Sequence, residues 1–417
     1  MRSWWRRVPQ ATRILVALAA GLAIGMAMAG WRADWALAAA SVTQPIGAAW
    51  LHGLQMVIVP LVTGLIVTGI AAAAEAARAG RIAARALASF VAILWTTTLM
   101  SAALMPVLLR LFPLPPEWAT ALRRSLTAAA PAGEVPGLAA FFDAVVPSNV
   151  VAAAAADAFL PLTVFALVFG FAVAQLEPAS RDRLTGLFQA LVDAMLVIVG
   201  WVLRLAPVGV FMLAYGVGAR TGVAAVGALL HYIVLVSSIG VVVLALAYPL
   251  AAVAGRVGLL RFARAVAPAQ AVAISTQSSL ATLPAMLKGC ERLGVPATTA
   301  GIVLPMAVAV FRATSPAMNL AVALYVAQLT GTEIGAGAMA AGIATAAITT
   351  MGSVSLPGTI SFFASVAPVA LAMGVPLEAL ALLVAVETIP DLFRTVGNAT
   401  MDVAVTRYVA RAEGVAT

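Results

Sequence analysis

Charged and redox-active residues are scarce in this sequence. Asp, Glu, Lys and Arg make up only 10% of its 417 residues, and it contains one cysteine and two histidines. The single cysteine, Cys290, excludes an internal disulfide bond. His52 and His231 are too few and too far apart along the chain to predict a histidine-based metal site. The sequence therefore predicts neither redox nor zinc chemistry, and no cofactor.

Apolar residues, by contrast, are abundant. They make up 63% of the sequence, and the mean hydropathy is +1.06, whereas a soluble domain is roughly 45 to 50% apolar and about 25% charged. Apolar stretches of about 20 residues, the length that crosses a hydrocarbon core, recur along the chain. This pattern predicts an all-α integral membrane protein. The clearest runs span residues 12–30, 43–73, 83–111, 155–176, 184–217 and 224–254.

The formal net charge of +8 comes from basic residues that lie between the apolar runs. If the N-terminus is cytoplasmic, most of them fall on the inner side, as the positive-inside rule requires. We therefore predict a multi-pass protein of the cytoplasmic (inner) membrane with both termini inside. The proline-rich connection at 112–150 is predicted to be an outer loop. Because the basic residues form no continuous patch with interleaved aromatics, no nucleic-acid partner is predicted.

Two clusters of small hydroxyl residues and proline interrupt the later apolar segments, at 275–284 and 349–358. Each has apolar arms shorter than a full span, as in a hairpin that enters and leaves by the same face. Exposed backbone groups at membrane depth are tolerated only where they line a cavity or bind a ligand. The alternative is that these hydroxyls only pack helices. A third break between the clusters, where Pro316 removes a helix hydrogen bond, favours the ligand site.

The last apolar segment contains a row of polar residues at successive offsets of four, three, one, three and four: Glu387, Asp391, Arg394, Thr395, Asn398 and Asp402. On an α-helix they form one stripe. A charged side chain at the centre of a membrane helix costs about 2.5 to 3.5 kcal/mol on insertion scales, so several need partners inside the bundle.

The chemistry of this stripe suits an acidic amino acid. The planar fork of Arg394 matches a carboxylate, and Asp391 can accept hydrogen bonds from an ammonium group. The alternative is a structural ion pair between Asp391 and Arg394, with Glu387 solvated near the helix end.

With these residues in view, the chain resembles the glutamate transporter family, the dicarboxylate/amino acid:cation symporters, from its first helix to its last. The final helix is the most specific match, because Asp391, Arg394, Thr395, Asn398 and Asp402 fall at the family's spacing. The other matching segments are LQMVIVP at 54–60, LAPVGVF at 205–211, the Ser278-Ser279 tip with Thr282-Leu283-Pro284, and the Leu356-Pro357-Gly358 tip.

The resemblance implies eight membrane-spanning helices plus two re-entrant helical hairpins, in a homotrimer whose transport domains move against a scaffold in an elevator mechanism. The scaffold would comprise helices 1 and 2 at 1–73 and, after the outer loop, helices 4 and 5 within 112–217. The transport domain would comprise helix 3 at 83–111, helix 6 at 224–254, hairpin 1 at 262–293, helix 7 at 295–330, hairpin 2 at 335–372 and helix 8 at 375–411.

The resemblance also implies roles for individual residues. Asp391 would hold the substrate amino group and Arg394 the side-chain carboxylate, while the hairpin tips close over the substrate and hairpin 2 acts as the gate. The implied substrate-binding set is Ser278, Ser279, Thr314, Ser315, Ser353, Leu356, Pro357, Gly358, Asp391, Arg394, Thr395 and Asn398.

The chain departs from the family at helix 7, where the motif NMDGT is replaced by residues 311–315, FRATS. Phe311 and Ala313 offer no side-chain oxygen in place of two residues that help to ligate sodium. Arg312 adds a fixed positive charge that can pair with a carboxylate such as Asp402. The alternative is that Arg312 faces an aqueous cavity. The ion or ion-substitute set is Arg312, Asp402, Thr97 and Thr98.

The expected function is secondary transport of aspartate or glutamate across the cytoplasmic membrane, uncoupled or driven by protons and not coupled to sodium. The alternative is a sodium-coupled dicarboxylate or amino acid symporter with altered ion sites. An intramembrane hydrolase is disfavoured because HExxH and GxSxG are absent. A specific Asp391 and Arg394 pair also favours binding one substrate over passive anion conduction.

Overall fold

The computed structural model describes residues 10–78, 80–118, 146–156, 158–221, 223–352 and 358–414. Within these ranges the chain forms helices joined by turns and irregular segments, without strands. Six segments are long and apolar enough to cross a membrane, and shorter apolar helices accompany them. The predicted class, an all-α multi-pass membrane protein, is confirmed. The number of spans and hairpins, the homotrimer and the elevator motion stay predictions.

The helices are numbered here in chain order. They are α1 Gln10–Trp31, α2 Ala33–Gln55, α3 Ile58–Arg78, α4 Arg81–Leu111, α5 Val150–Ala155, α6 Phe159–Gln175, α7 Pro178–Arg204, α8 Ala206–Thr221, α9 Val223–Pro249 with the π-helical turn Leu250–Ala254, α10 Leu259–Thr276, α11 Ser279–Arg292, α12 Ala297–Val310, α13 Ser315–Thr330, α14 Ala336–Gly352, α15 Gly358–Ala372, α16 Glu378–Val386 and α17 Thr388–Ala412.

Prolines divide three of the predicted helices. The 43–73 run lies in α2 and α3, which are separated just before Pro60, and the 184–217 run lies in α7 and α8, separated just before Pro207. The last helix is likewise divided into α16 and α17 shortly before Pro390. Each proline lacks the backbone N–H that would bond to the carbonyl four residues earlier. Hydropathy does not reveal the first two breaks, because the residues around them are mostly apolar.

The helices pack in two groups. In the first, α8 packs on α1 and α2, while α3 packs on α6 and α7. In the second, α4, α9, α12 and α13 surround α17, and the hairpin formed by α10 and α11 packs on α17. The other hairpin, α14 and α15, packs on α13 and also on α3 of the first group. The assignment of these groups to a scaffold and a transport domain stays a prediction.

Arginine side chains fix the end of α17 to its neighbours. Arg407 Nε donates to the carbonyl of Gly255, 3.1 Å away, after the π-helical turn. Glu413 pairs with Arg81 at 2.6 Å and with Arg85 at 2.9 Å, both in the first turns of α4. These contacts hold the helix that contains the polar stripe in one register.

A close backbone contact joins α1 to α8. A Cβ atom at Gly21 would lie 2.6 Å from the carbonyl oxygen of Phe211, and one at Gly218 would lie 2.5 Å from that of Leu22. Small residues let the backbones of membrane helices approach this closely.

We expect Gly21→Ala to lower the apparent melting temperature of the purified protein in detergent, because overpacking typically costs about 1 to 3 kcal/mol. Gly30→Ala is the matched control, since a Cβ at Gly30 meets nothing within 4 Å. Alanine favours an open helical position by about 0.8 to 1.0 kcal/mol over glycine. The two variants should therefore shift stability in opposite directions, and equal shifts would contradict the tight contact.

Candidate functional site

The polar stripe of the last helix is buried along its whole length. Its six members are between 0% and 5% exposed: Glu387, Asp391, Arg394, Thr395, Asn398 and Asp402. The stripe therefore faces the interior of the bundle, and Glu387 is not solvated. Thr395 donates its hydroxyl to the carbonyl of Asp391 at 3.0 Å, within the same helix.

Arg394 lies at the centre of a hydrogen-bonded cluster. Its Nη2 donates to Glu387 Oε1 at 2.7 Å, and its Nη1 lies 3.7 Å from Asp391 Oδ1. Tyr232, on α9, donates its hydroxyl to Glu387 Oε2 at 2.6 Å. Among the described residues, Arg394 Nε and Nη1 have no hydrogen-bond partner. A buried guanidinium with unused N–H donors is suited to bind a carboxylate, whose oxygens accept the hydrogen bonds.

The break between α12 and α13 lies directly against the stripe. The backbone N–H of Thr314 donates to Asn398 Oδ1 at 2.9 Å, and the Thr314 hydroxyl donates to the carbonyl of Arg394 at 2.7 Å. That hydroxyl also contacts Asn398 Oδ1. Gly397 permits the approach, because a Cβ there would collide with the Thr314 methyl group. The break between α12 and α13 is thus hydrogen-bonded to α17 beside Arg394.

The two candidate ion-site threonines of α4, Thr97 and Thr98, differ in what they contact. Thr97 donates its hydroxyl to the carbonyl of Ala313 at 2.9 Å, so it supports the break. Thr98 donates to a carbonyl in its own helix at 2.6 Å. Phe311 stacks on Phe90 of α4, with ring centroids 4.5 Å apart. An apolar stack therefore occupies the position where the resemblance predicts a polar ligand.

Arg312 and Asp402 are both buried near the break, at 7% and 0% exposure. Arg312 is within electrostatic range of Asp391, Asp402 and the like-charged Arg394. Neither carboxylate oxygen of Asp402 accepts a hydrogen bond from the described residues. The expected direct hydrogen bond between Arg312 and Asp402 is therefore absent from this structure, and the two charges interact at longer range.

The tip of the first hairpin joins α10 to α11. Gln277 adopts the left-handed conformation, with φ 50°, which turns the chain. Ser278 then caps α11, accepting a hydrogen bond from the backbone N–H of Ala281 at 3.3 Å, while Ser279 is buried. The Gln277 amide lies 3.5 Å from the carbonyl of Thr388, a weak contact between the tip and the start of α17. Ser278 is thus engaged in capping its own helix.

The second hairpin tip falls largely outside the described residues. Ser353, Leu356 and Pro357 belong to that part of the chain, while Gly358 begins α15. Ser315, the first residue of α13, is 2% exposed, and its hydroxyl finds no partner among the described residues. The roles that the resemblance implies for these positions stay predictions.

Tyr232 contacts the stripe at Glu387, and Gln277 contacts Thr388 beside it, although sequence reasoning did not select either residue. A tyrosine within the apolar α9 is a weak signal, since tyrosines are also ordinary core residues. Gln277 lies inside the first hydroxyl cluster and could have been chosen by position. Its link to α17 depends on tertiary packing, which a single sequence does not contain.

Comparison with known proteins gives similarity along almost the whole chain. The family model described as the sodium:dicarboxylate symporter family matches residues 11–412. The proton/glutamate-aspartate symporter of Escherichia coli (strain K12) is 27% identical over 379 residues, covering 88% of this chain and 84% of the relative. The C4-dicarboxylate transport protein of Deinococcus radiodurans is 27% identical over 378 residues, covering 89% and 83%. The proton/sodium-glutamate symport protein of Bacillus subtilis (strain 168) is 26% identical over 417 residues, covering 97% and 92%.

Replacing Arg394 tests the role that the resemblance implies for it, which is to bind the substrate carboxylate. We expect Arg394→Cys to weaken aspartate binding by roughly 10- to 150-fold, the equivalent of a charged hydrogen bond of about 1.5 to 3 kcal/mol. The smaller, uncharged side chain should also admit neutral amino acids. Calorimetric titration of the purified protein measures both effects, with the exposed Arg204→Cys as control. Undiminished aspartate affinity in Arg394→Cys would refute the assignment.

Replacing Asp391 tests the role that the resemblance implies for it, which is to bind the substrate amino group. We expect Asp391→Ala to abolish measurable aspartate binding, because a buried ammonium group without a counter-charge is strongly disfavoured. The exposed Asp193→Ala on α7 should bind as the parent does. Retained aspartate affinity in Asp391→Ala, without any gain for succinate, would count against this role.

Proposed function

Because the chain belongs to the sodium:dicarboxylate symporter family, we propose that it is a secondary transporter of acidic amino acids, L-aspartate or L-glutamate, that does not depend on sodium. The observation that supports this most is the buried Arg394, with two nitrogens that lack a hydrogen-bond partner among the described residues. Beside it, Asp391 is 3% exposed. The family consists of transporters, which agrees with a non-enzymatic role.

Asp391 favours an amino acid over a simple dicarboxylate. A C4-dicarboxylate has no ammonium group and would bring a second carboxylate toward Asp391, where like charges repel. A dicarboxylate is nevertheless the second candidate substrate, because relatives such as that of Deinococcus radiodurans are named for C4-dicarboxylate transport. Competition of aspartate binding by succinate distinguishes the two candidates.

Sodium independence is inferred from the helix break. Sodium needs several oxygens to replace its hydration shell, and the side chains of Phe311 and Ala313 supply none. The carbonyl of Ala313 already accepts a hydrogen bond from Thr97. Arg312 adds a permanent positive charge within electrostatic range of Asp391 and Asp402. We propose that Arg312 takes the electrostatic place of a bound cation.

Aspartate affinity measured in sodium chloride and in choline chloride, at matched ionic strength, tests this proposal. We expect the two affinities to agree, because a coupled ion would tighten binding by a coupling energy of about 1 to 3 kcal/mol, or roughly 5- to 150-fold. A more than tenfold tightening by sodium would favour the alternative, a sodium-coupled symporter with altered ion sites.

Two variants of Arg312 separate its charge from its shape. Arg312→Met should weaken aspartate binding in both salts without creating sodium dependence, because the missing oxygen ligands are not restored. Arg312→Lys keeps the charge and should retain more affinity than Arg312→Met. Equal affinity in both variants and the parent would show that the charge at this position does not assist binding.

A further inference from the structure

Glu387 accepts hydrogen bonds from two different helices. Its Oε1 accepts from Arg394 at 2.7 Å, and its Oε2 accepts from the Tyr232 hydroxyl at 2.6 Å. Both Glu387 and Tyr232 are 0% exposed. Two donors and one positive partner satisfy an ionised carboxylate at this depth. The arrangement therefore suits the charged form of Glu387 as long as Arg394 stays beside it.

Substrate binding disturbs this balance. The substrate carboxylate that Arg394 receives under the proposed function is a second anion competing for one guanidinium. The site already holds three buried carboxylates, Glu387, Asp391 and Asp402, against two buried arginines, Arg312 and Arg394. If all are ionised, the site has one net negative charge, and an acidic amino acid adds another. Two uncompensated charges in a low-dielectric interior are strongly disfavoured.

A cation must therefore enter with the substrate, and without sodium a proton from the aqueous phase is the simplest one. We propose that Glu387 is the coupling proton acceptor of this transporter, and that each acidic amino acid is carried together with one proton. This inference rests on the proposed function. Arg394 stays protonated and donates Nε and Nη1 to the substrate carboxylate, so its single positive charge is shared between the substrate and Glu387. One proton from water then forms an O–H bond on Glu387, and no bond of the substrate changes.

Glu387 is favoured over the other two carboxylates by what substrate binding does to each. Asp391 gains the substrate ammonium group as a partner. Asp402 keeps Arg312 as its electrostatic neighbour whether or not substrate is bound. Glu387 and Asp391 both share Arg394 with the substrate, from 2.7 and 3.7 Å, but Glu387 gains no new positive partner in return. The carboxylate whose counter-charge is divided without replacement is the one that takes up the proton.

Among the described residues, the titratable and charged groups that act on Glu387 belong to two helices. From α17 these are Arg394 and Asp391, and from α9 it is Tyr232. Tyr325 of α13 packs against the Tyr232 ring, with centroids 5.3 Å apart, and its hydroxyl lies 3.2 Å from His231 Nδ1. Tyr232 is a positioning residue, because it holds the Glu387 carboxylate in reach of Arg394 without contacting the substrate.

The test uses full-length protein in liposomes with an alkaline lumen, an acidic exterior and the membrane potential clamped to zero. For the parent we expect accumulation of labelled aspartate and aspartate-dependent acidification of a pH dye in the lumen. Glu387→Gln imitates the protonated acid, so it should still exchange labelled for unlabelled aspartate. It should lose both the pH-driven accumulation and the acidification. Glu378→Gln, a glutamate at the start of α16, is the matched control and should behave like the parent.

The outcomes separate this inference from the proposed function. Acidification that persists in Glu387→Gln, or that is lost only in Asp402→Asn, would overturn the role of Glu387. A parent that carries aspartate without acidification would overturn the inference and leave the proposed function standing. A parent that fails to bind aspartate at all would overturn the proposed function.

A second variant covers the case in which Glu387→Gln does not reach the membrane. Tyr232→Phe removes only the hydroxyl that donates to Glu387, so the pH at which accumulation is half-maximal should shift. Exchange at a saturating aspartate concentration should persist, which a merely structural defect would not allow. An unchanged pH profile in Tyr232→Phe would also contradict the proposal.

Discussion

The buried ion pair between Arg394 and Glu387 is the contact on which the centre of this protein depends. Each charge removed from water costs several kcal/mol, and this cost is offset only when the partners are close and their remaining polar atoms are hydrogen-bonded. Tyr232 supplies one such bond to Glu387. The carbonyl of Arg394 accepts another from Thr314. Through these two hydrogen bonds the ion pair connects α9 and the break between α12 and α13 to α17.

The same side chains satisfy the backbone of the broken helix. A break at membrane depth leaves N–H and C=O groups that have no water to bind. Here Asn398 accepts from the N–H of Thr314, and Thr97 donates to the carbonyl of Ala313. The Asn398 oxygen is thus occupied in this structure, so any direct contact with a substrate would have to involve its amide nitrogen. The residues that complete the break and those that line the site are partly the same.

The membrane class and the polar stripe could be predicted from the sequence because both depend on local periodicity. Apolar length fixes the class, and the offsets from Glu387 to Asp402 place the stripe on one helix face. The hydrogen bond from Tyr232 to Glu387 could not be predicted, since Tyr232 lies on α9, far from Glu387 in the sequence. The distance between Arg312 and Asp402 also depends on packing. The breaks at Pro60 and Pro207 were missed because hydropathy does not register a lost hydrogen bond.

A fixed arginine differs thermodynamically from an exchangeable cation. An ion that binds only with the substrate couples its own gradient to transport, because it favours one state over another. The charge of Arg312 is covalently attached and is present whether the site is empty or loaded. It can therefore assist substrate binding but cannot drive accumulation, since a partner that is equally present in both states shifts nothing. Coupling to an ion gradient requires a group whose charge changes during the cycle. Among the buried carboxylates described beside Arg394, Glu387 and Asp391 both share it with the substrate, and Glu387 is the one that gains no ammonium group in return.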